Sequence, residues 1–148
     1  DKSMKNITIF TIVAILVFFT NAWAQQQVGL LKSVSGDVKI KRGESFVEAN
    51  QGLQIMNTDT LITSYNGYAG IIFDDGTTIT IGPETEFIIN DYKFEPGIEA
   101  YAFSMYLKKG AAIYNSGKIG KLSPESVNLS TPRGSVGIRG TRFIIKVD

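Results

Sequence analysis

The chain predicts an all-β body of short strands, and three observations carry that prediction. Apolar and polar residues alternate over short runs, the period-two signature of half-buried strands. Glycine-bearing turn signals interrupt these runs roughly every eight to twelve residues. No stretch beyond residue 24 sustains the helical period of about 3.6 residues. Turn spacing alone leaves a sandwich, a barrel and a solenoid open.

The start of the chain has a different character. Met4-Lys5 precedes an uncharged run from Ile7 to Thr20 that is almost wholly apolar, and Ala22-Trp23-Ala24 then places small residues at −3 and −1 of a cut. That order is a secretory signal peptide over residues 1–24, expected to be helical. Asp1-Lys2-Ser3 before Met4 is set aside as extraneous. The run of 14 residues is short of the roughly 20 that span a bilayer. An uncleaved anchor extending through Trp23 is the alternative. Residues 25–148 form one domain, long enough to bury a core without staples.

Within that domain, Val28 to Val34 reads as a first strand closed by Gly36-Asp37, and Val38 with Ile40 as the inner face of a second. Gly43-Glu44 turns it into Phe46–Ala49. Leu53 and Ile55 share a face, and Thr60–Thr63 is β-branched. Asn66-Gly67 and Asp75-Gly76 are hairpin turn signals. Between them Tyr68–Phe73, apolar on both faces, reads as a central strand. Thr77–Ile81 alternates until Gly82-Pro83, and Phe87 with Ile89 continues the pattern. After Pro96-Gly97, residues Tyr101, Phe103, Met105 and Leu107 give the longest clean alternation, expected to end at Lys108-Lys109-Gly110. Ala111–Asn115 reads as a separate short strand. Ser123 is a candidate N-cap for one helical turn starting at Pro124. Val127–Thr131 returns to strand.

Composition removes whole classes of chemistry. The chain has no histidine and no cysteine. Ser-His-Asp catalysis, histidine proton shuttling, thiol chemistry and most zinc sites are therefore out of reach, so neither metal nor cofactor is expected. Asp74-Asp75-Gly76 lacks the alternating ligands of an EF-hand loop and reads as a hairpin turn. Glu84 and Glu86 read as solvated neighbours on one strand face. Nothing marks an enzyme. Charge is sorted along the chain. Residues 74 to 99 hold seven acids against Lys93, and residues 100 to 148 hold eight bases against Glu125 and Asp148. The two sections either neutralise each other inside the fold or leave a basic face for an acidic partner. This balance is far from the basicity of a nucleic-acid binder.

The densest motif runs from Ser130 to Phe143. It holds Arg133, Arg139 and Arg142, and glycines at equal spacing: Gly134, Gly137 and Gly140. No lysine and Ser/Thr pair finishes a P-loop here, and no helix pattern follows. Val136 and Ile138 share one strand face, whereas Phe143, Ile145 and Val147 share a face in the opposite phase. A bulge or tight bend at Arg139-Gly140 is expected to absorb the slip. The arginines are candidates for clamping carboxylates on a partner; the structural alternative is one inward arginine salt-bridged to the acidic section.

Thr131-Pro132, Val136-Gly137-Ile138-Arg139-Gly140-Thr141 and Phe143 resemble the closing motif of FecR-type domains, exported all-β domains named after the regulator of ferric citrate uptake. The resemblance runs back through Ser116-Gly117-Lys118-Ile119-Gly120-Lys121, Asp75-Gly76, Asp59–Thr63 and Gly52-Leu53, over most of residues 28 to 147. It implies a solenoid-like roll or two-sheet sandwich. It also implies that Thr131, Pro132, Gly134, Gly137, Gly140, Thr141, Phe143, Asp75 and Gly76 are structural. In the sigma-regulating members a cytoplasmic segment and a membrane helix precede the domain, which receives a signal from an outer-membrane receptor. For this chain the expectation is that nothing cytoplasmic precedes the apolar run. The expectation is thus a stand-alone, non-enzymatic periplasmic module that binds another envelope protein, without nucleic acid and without a membrane span after cleavage. The alternative is an envelope polysaccharide-binding module using Tyr65, Tyr68, Tyr92 and Tyr114.

Overall fold

Residues 25–148 are described by a computed structural model of the chain. The signal-peptide reading of residues 1–24 lies outside the described residues. The body is all-β, and its twelve strands form a curled, almost wholly antiparallel sheet, a half-barrel.

The curl is best seen by following four long passes of the chain. β1 (Gln27–Ser35) and β2 (Val38–Arg42) make the first pass, and β5 (Thr60–Thr63) with β6 (Tyr68–Phe73) the second. β7 (Thr78–Ile81) with β8 (Glu86–Glu95) makes the third, and the 16-residue β9 (Ala100–Asn115) the fourth. Adjacent passes pair antiparallel in both halves: β1 with β6, β2 with β5, β6 with β7, β5 with β8, and both β7 and β8 with β9. The edges carry β3 (Ser45–Glu48) on β2 and β4 (Gln54–Met56) on β1. All four passes bend along one line, so the sheet folds over onto itself.

Hydrogen bonds stitch that line of bends. Ser64 N–H donates to Asp37 C=O at 3.1 Å, Glu84 N–H to Ser64 C=O at 3.1 Å, and Gly82 N–H to Ala111 C=O at 3.1 Å. The Thr63 hydroxyl donates to Gly82 C=O (2.7 Å) and accepts from Thr85 N–H (2.9 Å), while Ala111 N–H donates to the Thr85 hydroxyl (3.1 Å). Backbone groups left unpaired where the ladders break are satisfied by these two threonines. Gly110, with φ at +92°, makes the bend in β9, and a Cβ there would collide with the side chain and Cα of Thr85. Lys108-Lys109-Gly110 therefore bends the longest strand where the sequence suggests an end, and Ala111–Asn115 is its continuation.

Between the two halves lies a single core. Phe73 of β6 stacks on Tyr92 of β8 with ring centroids 5.0 Å apart, although these strands are not neighbours in the sheet. Phe103 packs against Phe73 at 5.2 Å and against Tyr114 at 5.7 Å. Phe103, Met105 and Leu107 all point inward, as the alternation predicts.

Several expectations are corrected. Asn66-Gly67 is not a hairpin turn, because β5 and β6 do not pair; it is a corner between the halves. The solenoid-like reading gives way to nested antiparallel pairing, in which β1 reaches β6 instead of stacking coil on coil. Asp75-Gly76 does form the β6–β7 hairpin, and Tyr68–Phe73 is central. The segment after Ser116 holds a short helix, α1 (Lys118–Leu122), that the sequence did not announce. Pro124–Ser126 forms the expected single turn, a 3-10 one, but Ser123 caps nothing with its side chain.

Candidate functional site

The C-terminal motif assembles at the free edges of β9. β10 (Val127–Thr131) joins its N-terminal half as a parallel neighbour and forms a hairpin with β11 (Gly134–Gly137). Pro132 and Arg133 are the hairpin loop. The Thr131 hydroxyl closes it, accepting from Arg133 N–H at 3.2 Å and donating to Gly134 C=O at 3.3 Å. The chain then crosses to the other half, where β12 (Arg142–Val147) pairs antiparallel with the C-terminal half of β9. Thr141 C=O accepts from Ser116 N–H at 2.8 Å and anchors the crossing.

The expected phase slip is real, but its cause is different. Residues 138 to 141 do not bulge within one strand; they switch from one half of the sheet to the other, with Gly140 at φ +136°. Val136 and Ile138 do not share an environment: Val136 is exposed and Ile138 is buried. Phe143, Ile145 and Val147 do share the inward face, half-buried against the core.

All three candidate arginines are exposed. Arg139 lies in the crossing, Arg142 opens β12, and Arg133 stands in the hairpin loop between β10 and β11. None forms an ion pair among the described residues, so the inward, salt-bridged alternative fails. That role belongs to Arg42, which clamps the buried Asp59 with Nε to Oδ1 at 3.0 Å and Nη2 to Oδ2 at 2.8 Å. Hydrogen bonding to Asp59 holds the Arg42 guanidinium above its ordinary pKa. Of the oppositely charged sections, only Lys108 and Glu86 pair among the described residues, at 3.7 Å. Glu84 lies in a corner with φ at +51°, so it does not share a strand with Glu86.

Beside Arg139 a cleft of about 400 Å³ is lined by Pro124, Glu125, Val127, Gly137, Ile138, Arg139 and Phe143. Glu125 is held below the ordinary glutamate range by its own backbone N–H and by the Ser123 hydroxyl, which donates at 2.9 Å.

Beneath this end sits a buried carboxylate. Asp75 is 2% exposed. Its Oδ1 accepts from the Tyr92 hydroxyl (2.9 Å) and Thr77 N–H (3.2 Å), and its Oδ2 from the Thr77 hydroxyl (2.7 Å) and Ile119 N–H (3.0 Å). Asp75 C=O accepts Lys118 N–H at 2.9 Å. Gly117 lies so close that any Cβ would strike Thr77 N. The Asp75-Gly76 turn and the Ser116–Lys121 motif, forty residues apart in sequence, are thus the two sides of one joint. Burial, then the Asp75 charge, pushes the Tyr92 hydroxyl far above its ordinary pKa, and burial raises that of Tyr114. Asp74 is raised by desolvation and by the adjacent Asp75 charge. Asp75 is spent on holding α1, which leaves no free carboxylate pair at this turn.

The tyrosine set divides. Tyr65 and Tyr68 are exposed, whereas Tyr92 and Tyr114 are core residues at 2% and 1% exposure and cannot offer rings to a sugar.

Fold and site together define an all-β domain with a charged, strand-edged C-terminal end. Residues 59–148 match the family described as FecR protein, and the chain belongs to that family. The FecR family is a non-catalytic signalling family, and its domain is a signal-sensing, regulatory module. The matched span begins at Asp59, the buried partner of Arg42, and includes the Asp75 joint and the whole C-terminal motif. No curated protein and no solved structure matches the chain. No helix among the described residues is long and apolar enough to cross a membrane.

Proposed function

We propose that residues 25–148, freed of the leader, work in the periplasm as a non-enzymatic signal-sensing module that binds another envelope protein through its C-terminal end. The observation that carries this reading is the exposure of Arg133, Arg139 and Arg142 with no internal ion partner among the described residues. Arginines left free at a surface lose little on meeting a carboxylate and gain bidentate geometry. The leader supports export, and the absence of histidine and cysteine supports a role without catalysis or cofactor.

The test is capture from an envelope extract at low and high salt, with the native domain and with a variant carrying Arg133→Glu, Arg139→Glu and Arg142→Glu. A partner retained at low salt, released at high salt and lost in the variant supports the reading. Capture of nothing, or capture indifferent to the three arginines, counts against it. Tyr65 and Tyr68, both exposed around the Asn66-Gly67 corner, keep envelope polysaccharide as a second reading. Salt-insensitive binding on a glycan array, abolished by Tyr65→Ala, would favour that one.

A further inference from the structure

We propose that the outer edge of β12 is a docking strand for an extended segment of a partner protein in which two acidic side chains flank an apolar one. This rests on the binding role above and names its site and the partner's chemistry.

The sheet ends in four edge strands. β3 and β11 have four residues each and β4 has three, whereas β12 has six. Short edges offer few free backbone groups, so β12 is the edge with most to give. It pairs with β9 alone. Its inward face, Phe143, Ile145 and Val147, is spent on the core. Its outward face presents Arg142, Ile144 and Lys146 in alternation, and Ile144 is 70% exposed. Across the sheet Ile144 lies opposite Ile113, and Ile113 opposite Thr80, an uncharged row that stops at the free edge.

Charge selects the occupant. A second copy pairing antiparallel about Ile144 would set Arg142 against Lys146 on both sides, and like charges directly opposite are destabilising. An incoming strand with Glu or Asp two residues either side of an apolar residue makes both pairs favourable. It also continues the Ile144–Ile113 row, while its backbone takes up the free hydrogen-bonding groups of the edge. Arg139, just before the strand, adds to the same positive end.

A fluorescein-labelled peptide containing Glu-Thr-Ile-Thr-Glu, and its Lys-Thr-Ile-Thr-Lys counterpart, are titrated against residues 25–148 by anisotropy. The acidic peptide should bind at least about tenfold tighter than the basic one, and more weakly as salt rises. The double variant Arg142→Glu/Lys146→Glu, checked for an unchanged circular dichroism spectrum, should reverse the preference. Amide shifts in the NMR spectrum should fall on residues 142 to 147 and spare 134 to 137. Equal binding, no binding, a preference that survives charge reversal, or shifts confined to β11 each overturn the docking strand. So does a native domain that dimerises through β12. If the peptides fail while the arginine variant still loses its envelope partner, the docking strand falls and the binding role stands.

Discussion

At the residue scale the molecule is held by two buried carboxylates with different work. Asp59 pins β4 and β5 to β2 through Arg42, which also donates to Gln54 C=O at 2.9 Å. Removing one member of such a pair strands the other. Arg42→Met should therefore cost about 3 kcal/mol in urea unfolding, and Arg42→Met/Asp59→Leu should recover much of that loss. Asp75 accepts four hydrogen bonds, so Asp75→Ala leaves donors from three residues unsatisfied and should cost about 3 kcal/mol. Asp75→Asn keeps one acceptor oxygen and should lose less. Asp74 has the opposite sign. Its folded pKa lies above the ordinary 3.8, so the folded state holds the proton more tightly and stability falls as pH rises through that window. Asp74→Asn should melt higher than the parent at pH 7. The gap should close in acid below 3.8, where the parent is protonated in both states. A gap that widens in acid would refute the assignment.

At the element scale β9 decides the architecture, because it is the one strand that runs unbroken through both halves of the sheet. Its bend depends on Gly110. Gly110→Ala adds a strained φ and a clash, and should cost about 3 kcal/mol. Thr85→Ala should not rescue it, since the Thr85 Cα stands in the way as well as the side chain. Equal melting temperatures for Gly110→Ala and the parent would remove this account of the fold-over. The bend was hard to read in sequence for a physical reason. A glycine at positive φ serves a hairpin and a mid-strand corner alike, and only the pairing partners distinguish them. The same ambiguity made Asn66-Gly67 look like a hairpin. The Asp75-Gly76 hairpin was legible because its flanking strands pair with each other.

At the scale of the whole molecule the C-terminal strand covers the C-terminal half of β9 and one side of the core. Half-burial of Phe143, Ile145 and Val147 is worth about 3 kcal/mol together on area grounds. Ending the chain at residue 141 should therefore lower the melting temperature by about 10 °C and, by baring the edge of β9, promote aggregation. A truncated protein that melts like the parent would break this picture. The candidate site was only partly legible. The sequence marked Arg133, Arg139 and Arg142 by their density, but not that all three are exposed and without an ion pair among the described residues. Lys146 and Ile144 went unmarked because an alternating strand does not say whether it will lie at an edge, and only the pairing of β12 with β9 alone puts it there.

The sequence by itself determined what depends on local chemistry and periodicity: strands over helices, the inward faces of β9 and β12, the family, and the absence of histidine and thiol chemistry. Only the tertiary structure decided which corner turns a strand back and which carries it onward, which arginine is buried in a pair, and which tyrosines are core. Those outcomes depend on what residues far away in the chain bring to the same place. A local pattern can fix a side chain's direction, but not the neighbour it will meet.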